Sequence, residues 1–171
     1  EVDRRAVLTS ALVGGAALAG AQSALAKPAE LVVADVKKEA DIACLYHCDF
    51  GDDKRYDDML RNINNHMSVY SFDSSAVKIV IVAHSVGIKY HLKTLAGTPW
   101  ASHTPISDET TERLRALAKY GVEVYLCKIT FERNKLDLSL ARDEPYIKLV
   151  PSGVATVAAL QSKGFGYLKV G

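Results

Sequence analysis

Lys78-Ile79-Val80-Ile81-Val82-Ala83-His84 is the stretch on which the fold turns. Four consecutive β-branched residues followed by alanine leave no polar face, so the run predicts a strand covered on both sides. Sheets buried in that way are parallel, and parallel strands need crossover connections long enough to hold a helix. The flanking sequence supplies them.

Upstream, Ile42-Ala43-Cys44-Leu45-Tyr46-His47 is a second, mostly apolar run, ended by Asp49 and Gly51. Between the two runs, Asp52 or Asp53 can cap a helix in which Tyr56, Met59, Leu60, Ile63 and Met67 recur at three-and-four spacing on one face. Downstream, Ile88, Leu92 and Leu95 fall in helical register before Gly97 and Pro99. A further helix starts near Ser107-Asp108, turns Leu114, Leu117 and Ala118 inward and ends at Gly121. Val122–Cys127 and Ile147–Val150 predict two more strands, Ser152 can cap a helix running to Lys163 and Gly164, and Gly166–Val170 closes the series. The pattern implies a mainly parallel five-stranded sheet in a three-layer Rossmann-like or flavodoxin-like α/β sandwich. In such sheets ligands bind beyond the carboxyl ends of the strands, which selects His47-Cys48, His84-Ser85, Cys127-Lys128 and Pro151-Ser152-Gly153.

A length of 171 residues with 49% hydrophobic and 24% charged side chains fits one globular domain. The net charge of +1 offers no general attraction to nucleic acid or an anionic membrane, and 8% aromatic residues do not make a base-stacking platform. Three cysteines are too few for a disulfide-stapled scaffold.

Residues 1–26 read differently from the rest. From Arg4, the sequence RRAVLTSALVGGAALAGAQSALA has a charged start, an uncharged Ala/Gly/Leu/Val stretch and a small-residue exit, the three zones of a signal peptide. Asp3-Arg4-Arg5-Ala6-Val7-Leu8-Thr9 resembles the twin-arginine pattern, and Ala24-Leu25-Ala26 supplies a small-x-small cleavage signal. Export to the bacterial periplasm follows as the expectation. The competing reading is a retained anchor facing the periplasm, weakened by Gly14, Gly15 and Gly20, because a span needs about 20 strongly apolar residues. Residues 27–40 read as a linker or short helix, and 41–171 as the folded domain.

Over residues 41–171 the chain resembles the DsrE/DsrF-like (YchN-like) family. The resemblance is carried by Val77–His84, by Gly121–Cys127, and by Val150-Pro151-Ser152-Gly153-Val154 through Gly164-Phe165-Gly166-Tyr167. It implies a compact α/β subunit that associates into homotrimers or homohexamers. In several members a cysteine accepts sulfur as a persulfide, and Cys127 matches the cysteine at the end of the third family strand. A sulfur donor or acceptor protein is then an implied partner. The familiar relay proteins are cytoplasmic, so an export signal sets this chain apart.

Cys127 is accordingly the catalytic candidate. A thiol just after a strand, next to Lys128 and before a helical turn near Thr130, would have its thiolate stabilised by positive charge and amide dipoles, and a thiolate attacks sulfane sulfur. The competing reading is a buried structural cysteine. Cys44 and Cys48 on one extended strand would lie about 13 Å apart, too far for a disulfide. Cys48 could serve as a resolving thiol if its strand neighboured that of Cys127. His84, Ser85, Cys48 and Lys128 are the substrate-binding candidates. Lys128, Arg133, Lys135 and Arg142 make a basic stretch that either assists an anionic sulfur substrate or is a solvated surface.

No cofactor is implied. No short-range ligand spacing points to a metal, although His84 with Cys127, and His47 or Cys48, has the chemistry of a zinc or copper site. Ala83-His84-Ser85-Val86-Gly87 also resembles a Gly-x-Ser-x-Gly nucleophile elbow. The alternative there is a tight strand-to-helix turn that uses Gly87. Set against sulfur transfer is a non-catalytic oligomeric module that binds a ligand or partner at the strand ends.

Overall fold

The computed structural model describes residues 26–171. Except for Ala26, the expected export segment lies outside the described residues. Six strands, β1 (Ala29–Glu30), β2 (Ile42–Cys48), β3 (Val77–Ala83), β4 (Glu123–Cys127), β5 (Ile147–Val150) and β6 (Gly166–Lys169), form one sheet in the order β1-β5-β4-β3-β2-β6. Every pairing is parallel. The architecture is therefore the expected α/β sandwich, with one strand more than the five predicted. That strand is β1, which comes from the stretch read as linker or short helix and pairs Ala29 with Lys148 and Glu30 with Leu149. Two residues carry no local strand pattern; β1 exists because it satisfies the outer edge of β5.

Alternation along β3 sends its side chains into two cores. Ile79, Ile81 and Ala83 pack with Tyr56, Met59, Leu60 and Ile63 of helix α1 (Asp53–Val69), Leu114 and Leu117 of α2 (Asp108–Ala118) and Phe131 of α3 (Lys128–Arg133). Val80 and Val82 face the other way, toward Leu160 of α4 (Gly153–Ser162). None of Ile79, Val80, Ile81 and Val82 is more than 1% exposed. Burial of each contributes about 1.5–3 kcal/mol, so this strand anchors both layers.

The predicted caps form. Asp52 accepts from Arg55 N at 2.8 Å, Ser107 from Thr110 N at 3.1 Å and Ser152 from Ala155 N at 3.3 Å. One helix does not. Ile88–Leu95 is not an α-helix: the chain makes a 3₁₀ helix over Ser85–His91, after which Leu92 bridges antiparallel to Ala141. Gly87, Ile88, Lys89, Tyr90 and His91 are all buried, so the segment has no polar stripe to leave in water, as an amphipathic α-helix would. Lys89 is accommodated because its ammonium donates to Gly51 O at 2.9 Å and to Asp53 at 2.7 Å. No helix of the described residues is long and apolar enough to cross a membrane.

Candidate functional site

The carboxyl ends of β2, β3 and β4 lie side by side. His47 on β2 pairs in register with Val82, so it projects to the α4 side of the sheet together with Leu45. His84 directly follows β3 with extended backbone (φ −147°, ψ 178°), which continues the alternation of Val80 and Val82 and brings its ring to the same side. Gly153 opens α4 against that ring. A Cβ at Gly153 would lie 2.7 Å from His84 Cβ and 3.0 Å from Cδ2, so the missing side chain makes the space that the imidazole occupies.

Four side chains then form a continuous chain of hydrogen bonds. Tyr167 of β6 places its hydroxyl 2.8 Å from His47 Nδ1; His47 Nε2 lies 2.7 Å from His84 Nε2; and His84 Nδ1 lies 3.0 Å from Ser85 Oγ. Two facing imidazole nitrogens cannot both donate, so one proton sits between them. The chain has only two consistent directions, from Tyr167 toward Ser85 or the reverse, and a proton entering at one end is matched by one leaving at the other. Burial first, and then the neighbouring His47, hold the His84 imidazole below the ordinary histidine value, against a smaller opposing pull from Asp49. His84 is therefore neutral at pH 7. Asp49, exposed just past β2, brings a carboxylate oxygen to the pair: ligand atoms of His47, Asp49 and His84 all lie within 4.8 Å of one another.

Cys127 belongs to the same edge. Ala83 pairs with Leu126, so Cys127 is level with His84 on the adjacent strand, and it follows Tyr125 on the α4 side. Its thiol is free and 5% exposed. Two sequence candidates stand apart. Cys48 lies on the opposite side of the sheet among the residues packed on α1, is fully buried, and donates weakly to Gly87 O at 3.9 Å. Strand β3 separates β2 from β4, so Cys48 is not beside Cys127, and burial pushes its thiol well above the usual value. Lys128 Nζ is held by Glu30 of β1 at 2.9 Å rather than turned to the thiol. Nor do the basic residues after Cys127 make one patch, because Arg142 is engaged by Leu92 O and Thr111 Oγ1.

The turn after β3 uses Gly87, as expected, but not for a left-handed backbone. The positive φ of 51° falls on Ser85, whose N–H donates to Thr130 Oγ1 at 3.0 Å. Gly87 serves close approach instead: a Cβ there would sit 2.0 Å from Cys48 O. The strained serine holds its hydroxyl under His84 Nδ1, and the strain is local to the site.

Asp49 and Tyr167 were not singled out by sequence reasoning. Asp49 read as the terminator of a strand, though a carboxylate two residues after a strand-end histidine was the available signal. Tyr167 is 120 residues from His47 and meets it only because β6 pairs with β2. A groove of about 840 Å³ lies at the opposite, amino end of the strands beside Val77, Val122 and Tyr146. Two ion pairs line it, Lys78 with Glu39 and Arg115 with Glu144.

A solved structure of a protein of unknown function, MTH1491 from Methanobacterium thermoautotrophicum, superposes with a TM-score of 0.60 at 22% identity, over 75% of this chain and 99% of that one. No functionally curated protein matches the sequence. The structural likeness supports the fold alone. The profile of the DsrE/DsrF-like family matches residues 52–170, from the start of α1 to the end of the sheet and well over half of the sequence, and on that match the chain belongs to the DsrE/DsrF-like family.

Proposed function

We propose that this protein carries sulfane sulfur on Cys127 in the metabolism of inorganic or protein-bound sulfur compounds. The supporting observation is the alignment of Cys127 with His84 at the carboxyl edge of neighbouring parallel strands, where this class of sheet binds ligands. The Cys127 thiolate attacks the outer sulfur of a donor such as thiosulfate. One S–S bond forms as another breaks, sulfite leaves, and the enzyme holds a persulfide with no external oxidant or reductant. The hydroxyls at the two ends of the imidazole chain, Ser85 and Tyr167, are suited to hold an anionic donor or leaving group. Residues 1–26 act as a twin-arginine export signal, so the reaction takes place in the periplasm, on copies assembled as a trimer or hexamer that exchange sulfur with a donor or acceptor protein.

Intact-mass measurement after incubation with thiosulfate or polysulfide tests the reading. The expected result is a gain of sulfur in multiples of one atom, lost in Cys127→Ser and kept in Cys44→Ser. Unchanged mass in the wild type, or equal loading in Cys127→Ser, overturns it.

A second reading is supported by exposure. Cys127 is 5% exposed, whereas Ile129, Val154 and Tyr167 on the same edge expose 40%, 65% and 42% of their surface. A non-catalytic module that docks a partner over this edge would use those apolar side chains and leave the thiol inert. Native alkylation separates the two: modification of Cys127 without unfolding supports sulfur transfer, and protection in the assembled protein supports docking.

A further inference from the structure

We propose that His47, His84 and Asp49 form a binding site for a divalent transition ion of the zinc class, with at least one coordination position open to solvent. The two Nε2 atoms face one another at 2.7 Å, and the Asp49 carboxylate completes a set of ligand atoms no more than 4.8 Å apart. Two imidazoles and a carboxylate are the nitrogen-and-oxygen set that zinc and its neighbours in the first transition row accept.

A second observation lies behind the rings. Each Nδ1 is held by a hydroxyl oxygen, that of His47 by Tyr167 at 2.8 Å and that of His84 by Ser85 at 3.0 Å. A metal-binding histidine has its second nitrogen held this way, because the N–H donated to an oxygen fixes the tautomer that aims a lone pair at the ion. When the Nε2 atoms share a proton, one Nδ1 must accept while the other donates. When they share a cation, both Nδ1–H groups donate, and both hydroxyl oxygens can accept. The doubly held rings are matched to the second state.

Modest movement converts one state to the other. Zinc–nitrogen bonds of about 2.0–2.1 Å in tetrahedral geometry set two nitrogens about 3.3 Å apart, so the rings need to part by about 0.6 Å. Asp49 is exposed and both rings are half-buried, which leaves water access to the remaining position. Three protein ligands with an open fourth place describe a reactive zinc site rather than a closed structural one. Cys127 is not among the converging ligand atoms, so the site does not depend on sulfur transfer.

Calorimetric titration of the full chain with Zn²⁺, and with Co²⁺ read by its visible absorption, tests the proposal. One ion per chain is expected. Loss of a ligand in His84→Gln or Asp49→Ala should weaken binding more than the ~10-fold expected for Tyr167→Phe, which removes only an outer-shell hydroxyl. Tyr167 is an exposed edge-strand residue, so its variant keeps the test open if a histidine variant fails to fold. Cys127→Ser should bind as the wild type does, with no thiolate-to-cobalt band in either. Absence of saturable binding overturns the proposal, as do equal affinities in the wild type, Asp49→Ala and Tyr167→Phe. Loss of binding confined to Cys127→Ser also overturns it. Sulfur loading measured in chelator-treated buffer reports separately on Cys127.

Discussion

One seven-residue turn joins two histidines that live under opposite rules. At its start His84 has both ring nitrogens engaged, by His47 and by Ser85, and it borders solvent. At its end His91 is 1% exposed, stands edge-on to Tyr56 with ring centroids 5.9 Å apart, and finds no partner for either nitrogen among the described residues. Burial holds both below the ordinary histidine value, and at His91, with the positive charge of Arg142 adding to it, the value falls to about 3. The lesson is that a lowered histidine does not by itself mark a reactive site. His84 is neutral and connected, so its proton has somewhere to go; His91 is neutral and isolated, so its proton has nowhere to come from.

The largest expected effect tests the turn that keeps these environments apart. In Gly87→Ala the new Cβ would meet Cys48 O at 2.0 Å and Cys48 C at 2.7 Å, backbone atoms of a buried strand that cannot step aside. We expect a loss of about 3 kcal/mol or more, well beyond ordinary overpacking, measured by denaturant unfolding. A loss below about 1 kcal/mol would mean that the turn is free to shift, and the separation of the two histidines would no longer rest on it.

Helix α1 and strand β3 were legible in the sequence because their determinants are local: a capping aspartate, a three-and-four apolar stripe, a β-branched run. The Ser85–His91 turn was not, since apolar spacing of three to four is shared by an α-helix and by any compact turn buried on all sides. What selects the turn is tertiary, namely Gly87 against Cys48 O and Lys89 reaching back to Gly51 and Asp53. The site divides in the same way. The strand-end rule located His47, His84, Ser85 and Cys127, whereas the direction of Lys128, the depth of Cys48 and the arrival of Tyr167 depend on strand order, which periodicity does not encode. Strand order is also what places β3 between Cys48 and Cys127.

The next effect comes from acid. An unfolded chain protonates His91 near its ordinary value of 6.5, while the folded protein resists until about 3. Between those limits the unfolded state binds more protons, so stability complete above about pH 6.5 is lost as the pH falls, by up to about 1.4 kcal/mol per pH unit. His91→Leu should remove that proton from the balance and flatten the stability profile between pH 6 and 4 by about this slope. At neutral pH the variant should fold to within about 1 kcal/mol of the wild type, because the change deletes two polar atoms that bond nothing. Identical wild-type and variant slopes would mean that His91 is solvated or partnered, and the contrast with His84 would collapse.

The smallest effect sharpens the comparison with a pair of matched hydroxyl deletions. Tyr56 is 1% exposed and its hydroxyl has no partner among the described residues, whereas the Tyr167 hydroxyl meets His47 Nδ1 at 2.8 Å on a side chain 42% exposed. Removing an unpaired buried hydroxyl relieves a desolvation cost, so Tyr56→Phe should leave stability unchanged or raise it by up to about 1 kcal/mol. Tyr167→Phe should change stability by less than about 0.5 kcal/mol, as surface substitutions do. Its effect should appear instead in the nitrogen NMR signals of His47, whose two ring nitrogens lose the hydroxyl that selects between the two directions of the imidazole chain. If Tyr56→Phe is the costlier change, the buried hydroxyl is bonded in solution and the interior around His91 is not the unpartnered region described above. If the His47 signals are the same in Tyr167→Phe and the wild type, the imidazole pair takes its tautomer from Ser85 alone, and the hydrogen-bond chain ends one residue sooner.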